Sequence, residues 1–402
     1  MTDYLTPGAY FQDVFPPPVQ SFLTGVPAFL GRATVVDQDD PPQWLSTPQR
    51  LTLWPQFEKT FGGAPDGLLP EAVRSFFEND GLLCYVVLLD KTGPAVTELQ
   101  RGLAALDDFD DVDLICAPDV MAWATWSDNS RPQLVTDSEQ VLAFTGLQQV
   151  LLDHCWDRGN RFAILDGVPA LPPDPVQEQR DLVQEQRDRL AGEAGGYGAL
   201  YYPWLWARDG ERPLPPCGHL AGIYSRSDQR VGVHKAPANE VIEGVLDLQA
   251  NLTGPHVGEL YEQGVNCLRA LPGRGIRVWG ARTLSADPTW RDVNARRLVG
   301  TISRWVERFM TNLVHEPNDV RLWVRIMREL TAYLDGLFQR GALKGRTADE
   351  AFFVKCDNET NPSDVIDAGM VVTQIGVAPT MPAEFIIVRA IHGASGVTVR
   401  AA

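Results

Sequence analysis

The sequence predicts an α/β fold joined to an α+β portion, with an extended strand arm at each end of the chain. Three observations carry that reading. Between about 68 and 208, continuous apolar runs alternate with helical stretches, the pattern of a mostly parallel sheet flanked by helices. From about 209 the chain becomes rich in turns, then gives two helices and a β-rich end, an α+β order. At both termini, extended apolar segments stand without a local partner.

"TPGAYFQDVF" (6–15) is fenced by Pro7-Gly8 and by Pro16 to Pro18, so it cannot fold back on itself. "TGVPAFLGRATV" (24–35) reads as a small strand unit, followed by a loop bearing Trp and Pro through Trp54. "PEAVRSFFEND" (70–80) has Pro at its start and Gly81 just past its end, the usual helix punctuation. "LLCYVVLL" (82–89) is a buried strand. A helix near 97–106 precedes strand 112–118, a helix over 138–156 precedes strand 161–167, and a polar helix precedes the apolar run 197–207. That polar helix repeats "VQEQRDL" and "VQEQRDR" (176–189), so Val176, Leu182, Val183 and Leu190 form a narrow stripe on an exposed helix.

The stretch 211–245 reads as turns. Helices follow near 288–313 and 318–340, the second opened by a Pro-Asn-Asp cap. Strands are expected at 351–357, 370–379 and 384–391. In the last, Phe385 to Val388 are consecutive apolar residues, which predicts a strand covered on both faces with no hairpin partner nearby. The implied divisions are an arm over 1–20, core over 21–67, an α/β portion over 68–208, core again over 209–382, and an arm over 383–402.

The chain has 402 residues and a net charge of −17. Such an acidic chain lacks the basic face that phosphate contacts need, so no nucleic-acid partner is expected. The charge is uneven: residues 273–346 hold 14 basic and 7 acidic side chains, a local +7 against −24 elsewhere. One basic surface on an acidic body points to an oriented partner. The longest apolar run is too short to cross a bilayer, no secretion signal is visible, and cytoplasmic synthesis without membrane insertion is expected. Six scattered cysteines without a CxxC pair predict neither disulfides nor zinc.

Motifs for chemistry are missing. No P-loop, GxGxxG or GxSxG occurs, so no cofactor and no catalytic residue is expected. His219 and His234 flank turns and read as satisfied loop histidines rather than a site. "DDFDDVD" (107–113) lacks the Gly and distal Glu of an EF-hand loop and reads as a solvated acidic turn. Asp119 and Asp166 are the only strand-end carboxylates an α/β enzyme would offer. On the 318–340 helix, Leu322, Trp323, Ile326, Met327, Leu330, Leu334 and Leu337 form a buried stripe, with Arg321, Arg325 and Arg328 along an adjacent flank. That flank reads either as solvated charge or as a docking ridge for an acidic partner.

Longer stretches carry a resemblance. "YLTPGAYFQDV", "PPCGHLAGIYSRSDQRVGVHKAPANEVIEGV", "GVNCLRALPGRGIRVWGARTLSADPTWRDVNARRL" and "FFVKCDNETNPSDVIDAGMVVTQIGVAPTMPAEFIIVR" together resemble the tail sheath proteins of contractile injection systems, which include contractile phage tails, R-type pyocins and phage-tail-like extracellular particles. The match is nearly continuous over 211–390 and loose over 80–205. It implies a homopolymer of stacked rings around an inner tube protein, meeting baseplate and terminal cap proteins, within a phage tail or a particle released by lysis. It also implies that terminal arms add strands to a neighbour's sheet, so that backbone hydrogen bonds join subunits. Carried onto this sequence, Tyr10, Phe11 and Val14 form the N-terminal arm and Phe385, Ile386, Ile387 and Val388 the C-terminal arm. Phe353, Val354, Val371, Val372 and Ile375 belong to the receiving sheet, and Arg321, Arg325 and Arg328 to a tube-contact helix. A minor sheath paralogue at the baseplate or tail end is the alternative role, and an α/β enzyme a remote one.

Overall fold

The computed structural model describes residues 23–33, 43–62, 67–90, 92–121, 138–169, 176–207, 212–313, 316–380, 386–393 and 396–401. Tyr10, Phe11, Val14 and Phe385 lie outside them.

An eight-stranded sheet runs in the order β11-β10-β6-β5-β4-β1-β3-β2. Its strands are β1 (Pro27–Ala33), β2 (Gln49–Leu51), β3 (Cys84–Asp90), β4 (Leu114–Cys116), β5 (Phe162–Asp166), β6 (Gly198–Tyr202), β10 (Val265–Leu271) and β11 (Gly275–Val278). The inner strands pair in parallel, while β2 and β11 close the two edges antiparallel. Helices cover both faces, which is why these strands read as unbroken apolar runs. Among the helices in the first layer are α3 (Ala95–Ala104), α4 (Ser138–Arg158), α5 (Val176–Leu190) and α7 (Gly254–Glu262); the second includes α1 (Trp54–Phe61), α2 (Leu69–Glu78) and α6 (Cys217–Arg230). A small sheet of β7 (Leu205–Ala207), β8 (Pro213–Leu214) and β9 (Val245–Leu248) sits beside it. The sheet takes β1 from before residue 68 and β10–β11 from after 208, so it runs across both expected divisions.

The expected turn region 211–245 contains α6, a helix buried from Cys217 through Asp228. A helix wrapped on all sides shows no polar face and hence no amphipathic period. Glycine makes the close approach possible: a Cβ on Gly218 would stand 2.3 Å from the Ala72 carbonyl oxygen, and one on Gly222 would stand 2.6 Å from that of Phe76.

The C-terminal lobe is α+β. Helices α8 (Val293–Thr311) and α9 (Val320–Gln339) pack against one face of a four-stranded antiparallel sheet. Its order is β12 (Phe352–Lys355), β13 (Val371–Val377), β14 (Ile386–Gly393), β15 (Gly396–Ala401). Short helices α10 (Ala348–Ala351) and α11 (Ser363–Asp367) flank β12 and β13. Here the expectation for the last strand is corrected twice. β14 alternates, with Ile386, Val388 and Ala390 buried while Arg389 and Ile391 are exposed, so one face is wet. It also has a local partner, since Gly393 opposes Gly396 and β15 returns along it in a hairpin.

Candidate assembly surfaces

The wet face of the C-terminal sheet is ordered by cross-strand register. Lys355, Gln374, Arg389 and Arg400 lie in one row across the four strands. Phe353, Gly376 and Ile387 flank it on one side; Val372, Ile391 and Thr398 flank it on the other. Phe353 covers Gly376, where any Cβ would strike its ring. The opposite face, with Val371, Ile375, Val377 and Val388, closes on α8 and α9. Of the receiving-sheet residues, then, Val371 and Ile375 are core, Val354 packs against that core, and Phe353 and Val372 face outward.

Edges decide where a strand can be added. β13 is flanked by β12 and β14 of its own chain, and Ile386, Ile387 and Val388 pair with Val377, Gly376 and Ile375. Among the described residues, the unpaired edges are the outer sides of β12 and β15. Beside β15 opens a cleft of about 820 Å³ lined by Trp156, Tyr197, Trp290, Arg296, Glu307 and Val399, among others. In its wall the Arg296 guanidinium lies 4.1 Å from the Tyr197 ring centroid and 3.5 Å from that of Trp290.

Helix α9 begins as the sequence predicts. The Asp319 carboxylate accepts from the Arg321 and Leu322 amides at 2.8 and 3.1 Å, satisfying donors that a helix start leaves open. Arg321, Arg325 and Arg328 share the exposed side with Val320 and Val324. Two of the three are already paired: Arg325 with Glu316 at 2.9 Å and Arg328 with Glu329 at 2.7 Å. The ridge is therefore a mixed apolar and ionic face rather than a bare basic one.

One buried ionic cluster fixes the C-terminal lobe to the α/β body, and sequence reading missed it. Arg297 on α8 donates to both oxygens of Asp228 on α6, at 2.9 and 2.6 Å, and to Asp113 at 3.0 Å. Asp113 also accepts from the Gly25 and Val26 amides at 3.1 and 2.7 Å. The last residue of the supposedly solvated acidic turn is thus a buried hub. The two carboxylates hold Arg297 firmly charged against its burial, whereas for Asp228 burial outweighs the pull of Arg297 and raises its carboxyl.

The remaining candidates are structural. Asp119 accepts from the Arg32 and Leu68 amides at 2.8 and 2.6 Å. Asp166 accepts from the Cys217 amide at 2.8 Å, and burial pushes its carboxyl up to about 7. Gln186, on the repeat helix, is fully buried and joins Gln148, the Asp166 carbonyl and the Val168 amide, so that helix is pinned through a polar residue. His219 is buried within α6 rather than set in a loop, and burial lowers it to about 4. The His234 carbonyl, beyond the end of α6, accepts from Asn294 at 2.9 Å.

Comparison with known proteins agrees with this architecture. Residues 156–284 match the family model described as phage tail sheath protein central domain, and residues 285–391 match the phage tail sheath C-terminal domain. The tail sheath protein of Vibrio phage KVP40 is 28% identical over 193 residues, 47% of this chain and 28% of that protein. The matched stretches span between 28% and 46% of the length of such relatives. Similarity to solved structures runs nearly end to end. A chain of the contracted helical sheath of the anti-feeding prophage is similar at a TM-score of 0.71 and 28% identity, covering 94% of this chain and 97% of that one. A chain of the contracted sheath complex of PVC, an extracellular contractile injection system, is similar at 0.68 and 28%, covering 96% and 97%. The chain belongs to the phage tail sheath family and is a sheath protein of contractile systems.

Proposed function

We propose that the chain polymerises around an inner tube into a metastable helical cylinder, and that contraction of this cylinder drives the tube through a target envelope. The observation that supports this most is the near full-length similarity to contracted sheaths of extracellular systems. Energy for the stroke comes from the difference between two lattices of one polymer, a bistable packing that consumes no nucleotide. The role is mechanical rather than enzymatic, and the carboxylates Asp119 and Asp166 serve as backbone acceptors.

Subunits are joined by their terminal strands. The segment carrying Tyr10, Phe11 and Val14 adds to an open edge of a neighbour's sheet, β12 or β15. The C-terminal hairpin, closed on its own chain here, is exchanged between copies in the polymer, as in other domain swaps. Baseplate and cap proteins terminate the stack, and α9 faces the tube, with weak exposed contacts that break on firing. Assembly takes place in the cytoplasm, as part of a phage tail or a particle freed by lysis.

Deletion of residues 1–20 tests the arm. The truncated chain is expected to keep the thermal unfolding of the full chain and to remain in the supernatant on ultracentrifugation, while the full chain pellets as polymer. Pelleting of the truncated chain to the same extent would refute the N-terminal linkage.

A further inference from the structure

We propose that the outer face of the C-terminal sheet is a docking surface for an acidic face of a second copy of this chain; the inference rests on the polymer reading above. Arg389 and Arg400 are directly opposite one another on neighbouring strands, both exposed. Like charges in that position destabilise an antiparallel pair. Neither has an ion-pair partner among the described residues, whereas Lys355 in the same row is paired with Glu359. The row is bordered by outward apolar side chains, Phe353 at 37% and Ile391 at 36% exposure. Cations set between apolar flanks on the outer face of a sheet form a surface suited to a carboxylate-bearing partner with some apolar area.

The chain itself supplies that partner chemistry. Outside residues 273–346 it carries −24, and that figure already includes Arg389 and Arg400. The proposed contact sets the sheet face of one copy against carboxylates elsewhere on another, so it is heterologous, the kind that propagates into rings and helices rather than closing as a dimer. Covering the Arg389–Arg400 pair with carboxylates relieves the repulsion only in the assembled state. The row thus opposes folding of the lone subunit slightly while favouring association.

The test is the double variant Arg389→Glu/Arg400→Glu beside Arg389→Gln/Arg400→Gln, each compared with the wild-type chain by thermal unfolding and by the concentration at which polymer first pellets. The Gln pair is expected to unfold at or above the wild-type temperature, and the Glu pair, which again sets like charges opposite one another, close to it. The Gln pair should raise the assembly concentration about tenfold, and the Glu pair should abolish pelleting at low salt. Wild-type assembly should weaken as salt rises and Gln-pair assembly much less. Unchanged assembly of a folded Glu variant would overturn the inference and leave the polymer reading intact. So would a Glu variant that pellets normally alone but fails to coat a tube, since the face then meets the tube. Failure of the wild-type chain to polymerise under any condition would overturn both.

Discussion

The Arg297 guanidinium on α8 meets the Asp228 carboxylate on α6 at 2.6 Å, with both side chains almost fully buried. With Asp113 as third member, this contact ties four segments far apart in sequence: the residues leading into β1, those leading into β4, helix α6 and the C-terminal lobe. In the proposed polymer this tie would carry load between the two lobes.

Breaking the cluster therefore costs stability. Arg297→Met leaves the buried Asp228 carboxylate without its cation, while Asp113 keeps Arg304 at 3.6 Å, and it is expected to lower unfolding free energy by about 3 kcal/mol. Asp228→Asn costs less, because Arg297 keeps Asp113. Urea denaturation checks both, and a loss below about 0.5 kcal/mol for Arg297→Met would contradict the assignment.

Two helical glycines are expected to respond with opposite signs, Gly218 in the packing of α6 on α2 and Gly336 in α9. Gly218→Ala drives a methyl into the Ala72 backbone and should cost about 1–3 kcal/mol. Gly336→Ala, in α9, meets only the end of the Arg340 side chain at 3.7 Å and should stabilise by about 0.5–1 kcal/mol. Melting temperatures of the two variants decide the matter.

Asp166 gives a pH signature. Its carboxyl is raised from 3.8 to about 7 when folded, so the folded state favours the protonated form. Its cost is absent below about pH 4, grows as pH rises to about 7, and is constant above. Asp166→Asn should therefore gain on wild type across that window by about 2–4 kcal/mol. A stability difference that stays flat from pH 4 to 8 would show that the carboxyl titrates normally.

The outer side of α9 is tested by charge reversal. Arg325→Glu/Arg328→Glu breaks two exposed pairs worth at most about 1 kcal/mol each, so the fold should persist. Assembly on tubes is expected to fail, and normal extended particles seen by electron microscopy would rule out this side as the tube contact.

Much of the fold was legible because local chemistry and tertiary burial agree. β3 and β5 are buried on both faces and their sequences are unbroken apolar runs; α9 carries its cap at Asp319 and its stripe from Leu322 to Leu337. α6 was not legible, because a helix buried on every side has no period and Gly218 and Gly222 lower its propensity. Gly393 and Gly396, with two residues between them and apolar strands on either side, were the available signal for the β14–β15 hairpin. Asp113 and Arg297 are 184 residues apart, and no local pattern announces such a pair.

The central claim is that the chain alone contains the instructions for a helical sheath. Negative-stain electron microscopy of the purified full-length protein tests it directly. Long hollow cylinders with a cogwheel cross-section are the predicted result; only small soluble particles at every concentration and salt condition would contradict it.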